Sequence, residues 1–183
     1  MPSKLIFLIL LSFIKYEFIL TKSSSTIIVI RHGEKISDDY TDLSKEGQAR
    51  ADCLPELFTK DKLGYVPSKI YANKRSDSST RAYDTVVPLA KYLGLKIQEF
   101  EKSSENQLYK FVTEVLLKDT HDVILVSSGH KHIPYISKLL GEEVDVSGKT
   151  GFDKYFIFRD GKLIEKGLQS NYIAKCIKEK LNK

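Results

Sequence analysis

Two histidines stand where this chain is best placed to do chemistry. His32 lies in Arg31-His32-Gly33, directly after the apolar run Thr26-Ile27-Ile28-Val29-Ile30. His130 lies in Ser128-Gly129-His130, directly after Asp122-Val123-Ile124-Leu125-Val126-Ser127. An imidazole near neutral pH can act as nucleophile, base or metal ligand. Arg31 adds a planar, permanently charged fork that matches phosphate oxygens. A second arginine, Arg81, opens a helical pattern behind the polar loop Asn73 to Thr80, and a helix start of that composition near a strand end can receive an anion. Each feature also has a plain structural explanation. Arg-His-Gly can be a chance tripeptide with a hydrogen-bonded loop histidine, and the Arg81 segment an ordinary solvated cap.

The elements that must position these residues argue for more than chance. Both apolar runs are short and β-branched, as strands buried on both faces are. A histidine at the C-terminal end of such a strand sits where open α/β sheets bind ligands. Gly33 and Gly129 allow the chain to turn sharply at those ends. Between the histidines, Ser44 reads as the N-cap of a helix through Leu54, Leu57 and Phe58. Lys69 to Ala72 and Leu95 to Gln98 read as further strands, Val86 to Leu93 as a helix ended by Gly94, and Asn106 to Lys118 as another. A helix carrying Ile133, Ile136, Leu139 and Leu140 follows the second histidine. Lys154 to Phe158 and Lys162 to Lys166 flank Arg159-Asp160-Gly161, a strong hairpin signal, and a helix from Tyr172 to about Leu181 follows. This alternation predicts a three-layer α/β/α sandwich with a mostly parallel central sheet.

Composition is that of an ordinary globular domain, 42% hydrophobic and 29% charged over 183 residues. The net charge of +5 is partly N-terminal, because residues 1–25 hold Lys4, Lys15 and Lys22 against Glu17 alone. The remainder is only mildly basic. With no aromatic stacking motif or basic stripe, nucleic acid is not an expected partner. Residues 1–25 are set apart from the domain at 26–183. The apolar run Leu5 to Ile14 is too short to span a bilayer, which takes about 20 residues, but suits a signal peptide. Export is therefore expected, giving a secreted or extracytoplasmic protein. An uncleaved anchor extended by Phe18-Ile19-Leu20 is the alternative, and membrane association is expected only through this segment.

Cys53 and Cys176 are the only cysteines. In an exported protein they could form a disulfide, although two helical cysteines this far apart are more commonly unpaired core residues. No Cys/His spacing resembles a zinc site.

Taken together, the motifs resemble those of the histidine phosphatase superfamily, with its phosphoglycerate mutase-like or acid phosphatase-like fold, in its small minimal branch. Arg31-His32-Gly33 matches the signature, Leu43-Ser44-x-x-Gly47-x-x-Arg50-Ala51 the helix start that follows, Arg81-Ala82-x-x-Thr85 the second arginine segment, and Gly129-His130 the second histidine. The matches fall in family order across residues 26–141. The resemblance implies a phosphatase without metal or other cofactor. His32 would attack phosphorus to form a phosphohistidine that water hydrolyses. Arg31, Arg81 and a protonated His130 would hold the equatorial oxygens, where charge spreads in the transition state. The substrate would be a phosphorylated small molecule or protein.

A leaving alkoxide needs a proton, which the family takes from a carboxylate. Glu99, Glu101 and Glu105 follow the third strand, and Glu101, just past its end, is the expected donor. Glu34 could pair with Lys35 or a nearby arginine. Lys74 and Arg75 could add positive potential at the mouth, and His132 could contact substrate or simply cap a helix. The phosphomonoesterase reading competes with a mutase, with a phosphohistidine protein phosphatase (which would need less leaving-group protonation), and with a non-catalytic phosphate-binding module.

Overall fold

A computed structural model describes residues 25–182 apart from Asp38 and His121. The signal segment expected at residues 1–25 therefore lies, but for Ser25, outside the described residues. Among those described, no helix is long and apolar enough to cross a membrane.

Six strands form one sheet: β1 (Thr26–Arg31), β2 (Lys69–Asn73), β3 (Ile97–Phe100), β4 (Val123–Ser128), β5 (Lys154–Arg159) and β6 (Lys162–Leu168), in the order β3-β2-β4-β1-β5-β6. The first four in that order run parallel, and β5 and β6 complete one edge as an antiparallel hairpin. Among the described residues, five helices cover the sheet: α1 (Lys45–Leu57), α2 (Arg81–Leu93), α3 (Glu105–Lys110, continued by a π-helical turn over Phe111–Leu116), α4 (Ile133–Leu139) and α5 (Ser170–Leu181).

The alternation of β1 shows why the sheet is central. Ile28 and Ile30 pack with Leu54 and Leu57 of α1, Val86 and Leu89 of α2, and Ile173 and Ile177 of α5. Ile27 and Val29 face the other way, onto Leu108, Phe111 and Val112 of α3 with its π-helical turn and Ile133 and Ile136 of α4. Successive strand side chains point to opposite faces, so a strand with helices on both sides must be apolar throughout. The result is the expected three-layer α/β/α sandwich.

Two sequence expectations change. The third strand lies two residues later than its apolar residues indicate, so Glu99 is within β3 and Glu101 immediately follows it. Cys53 and Cys176 are not separate core residues but a disulfide, with Cα atoms 6.0 Å apart, joining α1 to α5 on the same face of the sheet. Helix contact across 123 residues of sequence is what brings them within bonding distance.

Candidate active site

The four parallel strands all end at one rim of the sheet, and each delivers a polar residue there: Arg31 and His32 from β1, Asn73 from β2, Lys102 just past β3, and His130 and His132 past β4. The His32 N–H donates to the Ser128 carbonyl (3.1 Å), which fixes the first histidine against the end of β4. The Asn73 side-chain oxygen accepts from the Ser128 hydroxyl and from the Gly129 N–H, both at 2.9 Å, and ties the end of β2 to the same place. A cleft of about 190 Å³ opens here, lined by His32, Asn73, Arg81, Lys102, His130 and His132 among others.

His32 is buried, and its Nδ1 lies 2.7 Å from the Gly33 carbonyl oxygen. A carbonyl only accepts, so Nδ1 carries the proton and Nε2 keeps its lone pair. Burial pushes the imidazole down from 6.5 to about 4, and the charges of Arg31, Arg81 and His130 add to this against the Gly33 hydrogen bond. His32 is thus a neutral imidazole at pH 7 whose lone pair lies on Nε2.

The cations around it are held from several directions. Arg31 Nη1 donates to the carbonyls of Val146 (2.9 Å) and Gly148 (3.1 Å), and its guanidinium lies 3.8 Å from the Phe152 ring centroid. The segment from Val146 to Phe152, which ends in a 3-10 turn at Lys149–Phe152, thereby positions Arg31, and no sequence motif marks it for the site. Arg81 enters from the first turn of α2, donating from Nη1 to the Tyr40 carbonyl. Its Nε is buried with no hydrogen-bond partner. Thr85, one turn on, accepts from the Gly33 N–H at 2.8 Å while donating to the Arg81 carbonyl at 2.7 Å. The Arg81-Ala82-x-x-Thr85 spacing therefore joins the second arginine to the loop that follows His32.

Behind His32 the chain turns away through two glycines in contact. A Cβ on Gly33 would stand 2.8 Å from the Gly47 carbonyl oxygen, and one on Gly47 would collide with the Glu34 backbone. Ser44 caps α1 by accepting from the Gly47 N–H at 3.1 Å, which holds this approach in register. Glu34 pairs with Arg50 (Nη2 to Oε1 2.5 Å, Nε to both oxygens 3.0 Å), and Arg50 also reaches Asp153 at 2.6 Å. Ser44, Gly47 and Arg50 of the matched helix start therefore brace the turn behind His32 without lining the cleft.

The acidic segment does not supply a carboxylate to the cleft. Lys74 Nζ reaches Glu101 at 2.5 Å with both side chains half exposed, and Arg75 Nε reaches Glu99 Oε1 at 3.1 Å. The two cations expected to charge the mouth thus pair with Glu101, the expected proton donor, and with Glu99. Lys102, next in sequence, lines the cleft instead. Among the described residues no three His, Cys, Asp or Glu side chains form a group able to hold a metal ion.

No family model and no curated protein matches this sequence. Solved structures do. A phosphoglycerate mutase from Bacillus anthracis str. Sterne superposes with a TM-score of 0.58 at 16% identity, covering 85% of this chain and 98% of that one. A protein described as the phosphohistidine phosphatase SixA from Agrobacterium tumefaciens gives 0.52 at 14%, covering 78% and 97%, and a protein described as mycobacterial hydrolase 2 gives 0.52 at 13%, covering 86% and 98%. The chain has the phosphoglycerate mutase-like α/β fold. The resemblance read from its motifs extends to the architecture that carries them.

Proposed function

We propose that this protein is a metal-independent histidine phosphatase that hydrolyses phosphomonoesters through a phosphohistidine on His32. The observation that carries the reading is the state of His32: buried, neutral, with Nδ1 fixed by the Gly33 carbonyl and Nε2 unencumbered beside Arg31, Arg81 and His130. Nε2 attacks phosphorus in line, the P–O bond to the leaving group breaks, and water then cleaves the P–N bond to release phosphate. The cationic side chains stabilise the equatorial oxygens in both steps. Glu101 remains the proposed proton donor, and it must leave Lys74 to serve.

The test is release of inorganic phosphate from an aryl phosphate with EDTA present, together with mass spectrometry of acid-sparing quenched enzyme. Turnover with phosphate on His32, both abolished by His32→Ala, is the expected result. A folded, inactive wild type carrying no phosphohistidine would overturn the reading.

A second reading, a phosphohistidine protein phosphatase, draws on the Glu101–Lys74 pair. With no carboxylate lining the cleft among the described residues, a leaving imidazole is easier to expel than an alkoxide, which requires protonation. Fast hydrolysis of a phosphohistidine peptide alongside slow hydrolysis of alkyl phosphates would favour it.

Export is proposed with the phosphatase, since a Cys53–Cys176 disulfide persists in oxidising compartments.

A further inference from the structure

A leaving alkoxide must take a proton, and Glu101 can give one only by breaking from Lys74. The cleft itself holds other groups that carry protons: His32, Arg81, Lys102, His130, Lys131 and His132. In the phosphatase reading His32 attacks and His130 holds a phosphoryl oxygen. A guanidinium keeps its proton to above about pH 12 and donates poorly. His132 is held below its ordinary range, by burial first and then by the charges of Lys102, His130 and Lys131. It is therefore a neutral ring near pH 7, and a neutral imidazole is a weak acid. Two lysines remain, of which Lys131 is exposed and Lys102 half-buried.

The ends of β2 and β3 explain why Lys102 faces inward. Asn73 lines the cleft while Lys74, the next residue, turns away to Glu101. Glu101 in turn is followed by Lys102, which lines the cleft. The Lys74 N–H donates to the Phe100 carbonyl at 2.9 Å, so the backbone as well as the ion pair holds the two strand ends together. No described carboxylate pairs with Lys102, because Glu99 and Glu101 are engaged by Arg75 and Lys74. Burial first and the charge of Arg81 second hold its ammonium below the ordinary lysine range. A desolvated ammonium beside another cation yields its proton more readily than one in water.

We propose that Lys102 is the proton donor to the leaving oxygen while Glu101 stays paired with Lys74. The inference rests on the phosphatase reading, whose first step it completes. As Nε2 of His32 bonds to phosphorus and the P–O bond breaks, the Lys102 ammonium passes a proton to the departing oxygen and becomes an amine. Water then bonds to phosphorus, the P–N bond breaks, and the amine takes up the proton that the water sheds.

Leaving groups of different basicity test this. A para-nitrophenolate departs without a proton and an alkoxide does not, so the ratio of kcat/KM for ethyl phosphate to that for para-nitrophenyl phosphate reads proton donation. Lys102→Met should lower this ratio about 100-fold or more. Lys102→Arg keeps the charge but holds its proton, so it should not restore the ratio, which separates donation from attraction of the substrate. In wild type the ratio should fall as pH rises through a range below that of an ordinary lysine, because the donor must be protonated. His130 must be charged for both esters and cancels from the ratio. A ratio that survives Lys102→Met, is restored by Lys102→Arg, or collapses instead in Glu101→Gln or Lys131→Met overturns the proposal and leaves the phosphatase reading intact. So does a wild type that turns over the aryl ester and not the alkyl one. A folded wild type that hydrolyses neither ester and forms no phosphohistidine removes both.

Discussion

Replacing Arg50 by Met should destabilise the fold by about 3 kcal/mol, although Arg50 does not line the cleft. Its guanidinium is 5% exposed as a residue and joins two carboxylates, Glu34 at 2.5–3.0 Å and Asp153 at 2.6 Å. Methionine preserves most of the volume but leaves both carboxylates without their cation. Breaking a buried pair in this way costs about 3–5 kcal/mol. The lower end applies here because the Glu34 and Asp153 side chains keep 14% and 17% exposure, and the Ser170 N–H still donates to Asp153 at 2.9 Å. For a chain of this size a loss of about 3 kcal/mol lowers Tm by roughly 6–12 °C. Urea unfolding with the disulfide intact measures it directly, provided the slope with denaturant stays unchanged. The same substitution in a Glu34→Gln background should cost less, by about 1–2 kcal/mol, because part of the penalty is the stranded Glu34 charge. A loss below about 1 kcal/mol, or an equal loss in both backgrounds, would refute the claim that this network braces the loop behind His32.

Gly47→Ala should lower turnover sharply without touching substrate, since its Cβ would drive the Glu34 backbone away; overpacking of this kind costs about 1–3 kcal/mol, and unchanged activity with unchanged Tm would contradict the close approach. Removing the Cys53–Cys176 link, which closes a separation of 123 residues, should cost about 2–5 kcal/mol in denaturant midpoint comparisons of the Cys53→Ala/Cys176→Ala protein with wild type. His32, pushed down from 6.5 to about 4, should titrate near pH 4 in an NMR pH series. The unfolded chain takes up the His32 proton first as pH falls, so this residue removes stability between pH 6.5 and 4, by up to about 3 kcal/mol. The difference in stability between wild type and His32→Ala should therefore change across that window, and a flat difference would count against a buried neutral imidazole.

What could be read along the chain was local. The β1 and β4 strands are continuous Ile, Val and Leu runs because helices cover both faces, and that pattern needs no knowledge of the partner strands. The Asp160-Gly161 turn follows from residue type, and both residues do adopt positive φ, 51° and 68°. Ser44 caps α1 as its position before the helix implies. His32 and His130 were visible because strand ends and glycines mark them, and they do meet at one cleft.

The tertiary structure decided the pairings, where residues distant in sequence compete for one another. Glu101, Glu99, Lys74 and Arg75 were all legible as charges, but only the approach of the β2 and β3 ends matches each acid to its cation. That leaves Lys102, unremarkable as one of many lysines, facing the cleft. Asn73 reads as a loop residue until β4 arrives to occupy its oxygen and strand its amide N–H. Arg50 meets Asp153 and Cys53 meets Cys176 across more than a hundred residues, since the folded sheet places α1 and α5 side by side on one face. Local propensity and hydrophobic period act within a few residues and so fix the elements. Ion pairs, buried donors and disulfides depend on which elements become neighbours, and only the folded chain determines that.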